Sequence, residues 1–199
     1  MLEGKNVVLR LLKEEDLEEF VRLYNDASHR GEYYPISLRS LSQSRKEFQE
    51  NGWWDEHQGR MLITDKEGLI LGCIFFFKGA QYQEGYEIGY FVLRRENRGR
   101  GIISEALPLF SAYLFELKPI ERLYLLTAGD NIPSQKVARK AGYQHEGTLR
   151  KAFFLRGKHH DCEVFSLLRE ECPSLKEIMK GEGRREKDEG RRMKVEGRR

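Results

Sequence analysis

Three sets of residues in this chain have the types and spacing to do chemistry. The first lies in "FVLRRENRGRGIISEALPLF", residues 91–110, where an apolar strand gives way to Arg98, Gly99, Arg100 and Gly101 and then at once to a helix. The first amides of a helix have no partner within it, and glycines let a ligand approach the bare main chain. With the N–H groups of Arg98 to Ile103 and two arginines, the segment reads as a cradle for a pyrophosphate-like anion. The second set is Asn131 and Ser134, three apart at the start of "NIPSQKVARKAG" and so on one face of a first helical turn. Asn131 is a natural helix cap there, and Ser134 either supports the cap or presents a hydroxyl. The third is Glu87, a carboxylate inside the strand "YEIGYFVL", with His145, His159, His160 and Asp161 further on as other titratable candidates.

Other phosphate-binding patterns fit the glycine-arginine loop less well. A Walker loop closes with Gly-Lys-Ser/Thr, and here Ile102 and Ile103 occupy that place. A dinucleotide fingerprint needs an acidic residue about 20 positions on at the end of the next strand, where this chain is still in a helix followed by "KPIER". The remaining alternative is a purely structural glycine turn, and the loop alone does not choose between that and the cradle.

The elements that must hold these residues follow from periodicity. "NVVLRLL" reads as a strand, and "KEEDLEEFVRLYNDA" as a helix with Leu17, Phe20, Val21, Tyr24 and Ala27 on one stripe. "LSQSRKEFQENGWWDE" is a second, weaker helix, and "GRMLITDKEGLILGCIFFFKG" is a hairpin around "DKEG". Ile103, Leu107, Phe110, Leu114 and Leu117 give the helix after the loop a regular apolar face, with a kink expected at Pro108. "ERLYLLTA" is a short strand, and the region after Gly142 is two strands joined by "RGKHHD". This order predicts an α/β (α+β) fold, a mixed sheet with helices on its faces rather than a regular βαβ array.

Composition sets the bounds. The chain has 199 residues, 39% of them hydrophobic, enough for one domain with a full core. Its apolar runs are strand-sized, its start lacks the pattern of a signal peptide, and its cysteines (Cys73, Cys162 and Cys172) form no CxxC pair. These features predict a cytoplasmic protein without a disulfide framework or a metal site. The net charge of +3 is uneven: residues 180–199 carry nine Lys/Arg against five Asp/Glu. Their heptad-like repeat ("EGRREKD", "EGRRMKV") has glycines and almost no apolar seam, which excludes a coiled coil. We expect a domain over residues 1–171 and a basic, disordered tail over 172–199, with weak contact to nucleic acid or ribosome as its second reading.

Taken together, "LRLLKEEDLEEFVRLYND", "YEIGYFVLRRENRGRGIISEAL" and "AGDNIPSQKVARKAGYQHEGTLRKAFFLRGKHHDCEVFSLLREE" resemble the GNAT superfamily of N-acetyltransferases, in particular its RimJ/RimL-like branch. The resemblance spans about residues 6–171. It implies about seven strands and four helices, with the sheet splayed between the fourth and fifth strands, "YEIGYFVL" and "RLYLLTA". It further implies that acetyl-CoA lies in the splay, its pantetheine on the backbone of Phe91, Val92 and Leu93. The pyrophosphate would sit on Arg98, Gly99, Arg100, Gly101, Ile102 and Ile103, with Asn131 and Ser134 also in contact. In this branch the serine matching Ser134 is the proposed proton donor to the thiolate, and Glu87, just before the gap, is the best-placed base. An acceptor wall is expected from Tyr33, Tyr34, Trp54 and Asp161, with Trp53 nearby.

The transfer needs a neutral amine, stabilisation of the developing oxyanion, for which Val92 N–H is the candidate, and a proton for the leaving thiolate. An α-amine of pKa about 8 costs about 1.4 kcal/mol to deprotonate at pH 7, whereas a lysine amine costs nearly 5 kcal/mol. The favoured acceptor is therefore the N-terminal α-amine of a protein or peptide, ribosomal in kind. The alternatives are a small amine (antibiotic, polyamine or aminoacyl nucleotide) or a non-catalytic module that binds CoA or RNA. The chain is expected as a monomer or homodimer.

Overall fold

The computed structural model describes residues 1–29, 31–34, 37–79 and 84–180. The strands are β1 (Leu2–Glu3), β2 (Val8–Leu11), β3 (Gln58–Thr64), β4 (Ile70–Phe77), β5 (Tyr86–Val92), β6 (Arg122–Ala128), β7 (Gln144–Leu155) and β8 (Lys158–Leu168). They form one sheet in the order β1-β2-β3-β4-β5-β6-β8-β7. Every pairing is antiparallel except that of β5 with β6. The helices are α1 (Leu17–Asn25), α2 (Leu41–Asn51), α3 (Ile102–Leu117), α4 (Ile132–Lys140) and α5 (Leu175–Lys180). The mixed α/β architecture is the expected one, with one strand (β1) and one helix (α5) more than the sequence reading foresaw.

Two apolar clusters lie on opposite faces of the sheet. Leu17, Phe20, Val21 and Tyr24 of α1 pack with Leu62, Cys73 and Trp53 on one face. Ile103, Leu107, Phe110 and Leu114 of α3 pack with Ile63, Ile74, Phe76 and Ile88 on the other. The period of 2 in the strands and of 3.6 in the helices therefore meet where the sequence pattern put them, except at Ala27, which lies beyond α1 and is exposed, and at Leu117, which is exposed at the end of α3. Helix α3 runs through Pro108 without a break. Three residues on, Ser111 Oγ donates to the Leu107 carbonyl and accepts from the Tyr143 hydroxyl.

The tail was expected from residue 172. Instead, Leu175 and Ile178 of α5 pack against the α3 cluster, and Leu175 N–H donates to Glu116. Leucine and isoleucine three apart form a one-turn apolar stripe too short to stand out beside the charged repeat. Residues 181–199, with that repeat, lie outside the described residues.

The pairing of β5 with β6 consists of only two rungs, Tyr86 with Leu123 and Glu87 with Tyr124. Beyond them the strands part. Gly85 sets the close approach: its φ is +89°, and a Cβ there would overlap the Arg122 carbonyl oxygen. Gly85→Ala should therefore destabilise the fold by about 2–4 kcal/mol, lowering Tm by roughly 5–10 °C. Thermal unfolding of the variant checks this; an unchanged Tm would mean that the approach at Gly85 carries no strain.

Candidate active site

The splay determines which main-chain groups are free. Leu93 N–H donates to the Leu71 carbonyl, so Leu93 faces β4. In an antiparallel ladder alternate residues face the same neighbour, so Phe91 and Gly89 also face β4, while Tyr90 and Val92 face the other way. On that side β6 has diverged, and the amides of Tyr90 and Val92 point into the gap. This corrects the expectation for Phe91 and Leu93, whose backbone groups are turned to β4. The Phe91 ring lies tilted against Tyr34, 3.7 Å between centroids and 44° between planes.

Glu87 stands on the last rung before the strands separate, opposite Phe77 of β4 and Tyr124 of β6. Burial raises its carboxyl to about 7, and among the described residues no cation offsets it. Its proton therefore exchanges closer to neutral pH than that of an ordinary glutamate.

Across the gap, Ser134 Oγ lies 2.7 Å from the Tyr90 hydroxyl, linking β5 to α4. Burial raises the Tyr90 phenol above its ordinary range, so it keeps its proton at neutral pH. Asn131 caps α4, its Oδ1 accepting from Ser134 N–H at 3.3 Å, so the cap and the placing of the Ser134 hydroxyl are one arrangement. Tyr90 escaped the sequence reading because a tyrosine in an apolar strand reads as core; the usable signal was its place three residues after Glu87 and hence on the opposite face.

The glycine-arginine loop is shaped as a cradle. Gly99 and Gly101 have φ of +74° and +79°, and apart from their chain neighbours no atom of the described residues lies within 4 Å of where a Cβ would stand on either. The first helical hydrogen bond runs from Glu105 N–H to the Gly101 carbonyl, leaving the amides of Ile102 and Ile103 ahead of it. Arg100 is exposed beside them. Arg98 departs from expectation. Its N–H donates to the Arg95 carbonyl, and its guanidinium donates to the His29 carbonyl rather than reaching toward the cradle.

The expected acceptor wall is divided. Tyr33 donates from its hydroxyl to the Asp130 carbonyl at 2.9 Å and so ties the segment after α1 to the loop after β6. Arg156, from the β7–β8 turn, donates to the Gly31 carbonyl in the same segment. Tyr34 is a core residue, buried against Phe91 and Tyr24. Trp54 packs on Phe76 and Tyr113 on the α3 face, whereas Trp53 is buried on the α1 face. Asp161 accepts from Lys151 N–H, holding the bulge of β7 where Lys151 has a φ of +54°. Of the other candidates, His145 pairs with Glu163, His159 with the Lys151 carbonyl, and His160 with Asp130.

The chain matches the acetyltransferase (GNAT) domain model over residues 6–144, well over half its length. The chain belongs to the GNAT acetyltransferase family. It is 29% identical over 178 residues, 84% of this chain and 97% of the other, to "Probable N-acetyltransferase YjcK" of Bacillus subtilis (strain 168). It is 28% identical over 134 residues, 67% of this chain and 74% of the other, to the ribosomal-protein-serine acetyltransferase of Escherichia coli (strain K12). Its fold matches spermidine N-acetyltransferase from Vibrio cholerae in complex with CoA and spermine, with a TM-score of 0.70 at 19% identity, covering 83% of this chain and 96% of that one.

Like GNAT enzymes generally, this N-acetyltransferase uses acetyl-CoA as its acetyl donor. The residues present fit that molecule. Two left-handed glycines with open space at their α-carbons precede a helix N-terminus suited to phosphate, and the parted strands expose the amides of Tyr90 and Val92. Among the described residues no helix is long and apolar enough to cross a membrane.

Saturating acetyl-CoA, at about a hundred times its Kd, should stabilise the protein by about 2.7 kcal/mol and raise Tm by roughly 5–10 °C. Gly101→Val fills the cradle and should remove most of that shift. An undiminished shift in the variant would place the phosphates elsewhere.

Proposed function

We propose that this enzyme acetylates the N-terminal α-amine of a protein or peptide, with Glu87 as the base. The observation that carries the reading is the Glu87 carboxyl, pushed up to about 7 at the point where β5 and β6 part. A base of that strength suits an α-amine of pKa about 8, from which proton transfer is nearly balanced, better than a lysine amine at about 10.4.

Acetyl-CoA supplies an activated thioester. The remaining work belongs to the chain. Glu87 takes the proton of the acceptor ammonium on the α1 face. The Val92 amide, directed into the gap, is oriented to donate to a carbonyl oxygen there. The Tyr90–Ser134 pair holds a hydroxyl proton at the opposite wall, ready for a leaving thiolate. Asn131 keeps Ser134 in place, and Gly99, Gly101, Ile102 and Ile103 hold the phosphates, with Arg100 adding charge. The similarity to a ribosomal-protein-serine acetyltransferase supports a protein acceptor. A polyamine is the rival, because spermidine N-acetyltransferase shares the fold. A tail contact with nucleic acid, a cytoplasmic location and the monomer or homodimer state are carried forward from sequence.

Activity on free α-amino peptides should exceed that on spermidine at equal concentration; the reverse order would sink the peptide reading. In the wild type, kcat/KM should rise with pH through an apparent pKa near 7 as Glu87 ionises. Glu87→Gln should lose about 10²–10³-fold in rate together with that ascending limb. Stability runs the other way. Between about 4.5 and 7 the folded protein holds a proton that the unfolded chain releases, so this carboxyl lowers stability as pH rises through that window. Glu87→Gln should therefore be the more stable protein above pH 7 while being the poorer catalyst. A variant that keeps both the activity and its pH profile would remove Glu87 from the mechanism.

Ser134→Ala should cost less than tenfold, because the Tyr90 hydroxyl remains. The double variant Tyr90→Phe, Ser134→Ala should lose about 10²-fold in kcat. Equal, additive losses from the two single variants would contradict a shared proton position.

A further inference from the structure

A second unusual charge lies on the same face of the sheet as Glu87. Arg60 of β3 pairs with Phe75 of β4, which pairs with Gly89 of β5; the next row is Gln58, Phe77 and Glu87. Gly89 leaves space that the Phe75 ring covers. Arg60 is enclosed by aromatic rings, its Cζ 5.0 Å from the Trp53 centroid and 5.4 Å from those of Phe20 and Phe75. Its Nε and Nη1 are buried and have no hydrogen-bond partner among the described residues. The titratable groups that act on it are Cys73, Arg39, Tyr24 and Tyr34, none of them a carboxylate.

Arg60 lines a cavity of about 250 Å³ together with Arg39, Trp53, Phe75 and Phe77. The Arg39 Nε is likewise buried without a hydrogen-bond partner, and its Cζ stands 5.4 Å from the Trp53 ring. Two carboxylates also line the cavity, Glu47, which is held by Arg39 at 3.5 Å and by Gln43 at 3.1 Å, and the exposed Glu50, and neither pairs with Arg60. Two guanidiniums thus meet at one cavity with hydrogen-bonding capacity left over, and a buried guanidinium with unmet donors is costly unless an anion completes it. A carboxylate is the anion whose planar geometry matches the guanidinium fork.

We propose that this cavity binds a carboxylate of the acyl acceptor, so that preferred acceptors carry an acidic residue close to the amine they present to Glu87. The inference rests on the peptide-acceptor reading above. Two strand spacings of about 4.8 Å and two residues of about 3.4 Å put the α-carbons of Arg60 and Glu87 roughly 12 Å apart. Extended peptide covers that distance in about three or four residues, so the acidic side chain belongs within the first four positions. The Phe77 side chain lies between the two, next to Glu87 in its row and on the cavity wall.

The test is initial-rate kinetics of the full chain with acetyl-CoA on twin peptides that differ only by Glu or Gln at position 2, 3 or 4. The wild type should favour a Glu peptide at least tenfold in kcat/KM, mainly through KM. Arg60→Met should erase that preference while leaving the acetyl-CoA-induced rise in Tm unchanged. Methionine fills the same apolar surroundings without a charge, so this variant should fold with an unchanged or higher Tm. Arg39→Gln, at the cavity wall, is the second variant and should reduce the preference without abolishing it. Equal rates for the twins in the wild type, or a preference that survives Arg60→Met, would overturn the proposal.

If no peptide is acetylated, the peptide-acceptor reading fails, and a binding measurement decides the cavity by itself. In a Trp54→Phe background Trp53 is the only tryptophan of the two in the chain. Its fluorescence should then change saturably with an N-acetylated Glu peptide and not with its Gln twin. No difference between the twins would overturn the site.

Discussion

The whole arrangement depends on a parallel pairing that stops after two rungs. Had β5 and β6 stayed together, their amides would have satisfied each other and the sheet would be closed between α3 and α4. Because they part after Glu87 and Tyr124, the amides of Tyr90 and Val92 are left facing a gap. The helices that follow each strand then begin on either side of it. Parallel strands that diverge toward their carboxyl ends, each feeding a helix, produce a ligand cleft as a matter of topology. Bonds across its mouth keep it at one width: Tyr90 to Ser134, and Tyr33 to the Asp130 carbonyl.

The same constraint explains the electrostatics. Glu87 is desolvated because it sits where two strands are still paired and Phe77 and Tyr124 flank it on both sides. Arg60, one row over, is desolvated by Phe20, Trp53 and Phe75. Neither charge is compensated by the other, since Phe75 and Phe77 stand between their strands. A fold optimised only for stability would neutralise both or replace them with apolar residues. Their retention on one face of the sheet is the local conflict expected where binding and chemistry are located.

Much of this was legible in the sequence, and the misses have physical causes. The glycine-arginine loop, the Asn131 cap and the shared helical face of Asn131 and Ser134 followed from spacing and local chain stiffness, which survive into the fold, whereas the place of Glu87 just before the splay came from the family resemblance. What a linear reading missed was decided by strand direction and sheet register. Leu93 differs from Val92 only in which neighbour its amide faces, and Trp54 differs from Trp53 only in which side of the sheet it lies on. Arg98 bears a positive charge beside the cradle, yet its guanidinium donates from Nη2 to the His29 carbonyl. Arg60 looked like an ordinary strand residue because its aromatic surroundings come from α1, from the segment after α2 and from β4, distant in sequence.

The measurement that bears most directly on this account is a titration of the Glu87 carboxyl itself. Carboxyl-carbon NMR of protein labelled in glutamate, read as the difference between wild type and Glu87→Gln, isolates its signal. A midpoint near 7 is the expected result, because the parting of β5 and β6 holds this carboxyl where water cannot fully solvate its charge. A midpoint near the ordinary 4.5 would mean that the split leaves Glu87 solvated, and the base would have to be sought elsewhere in the gap.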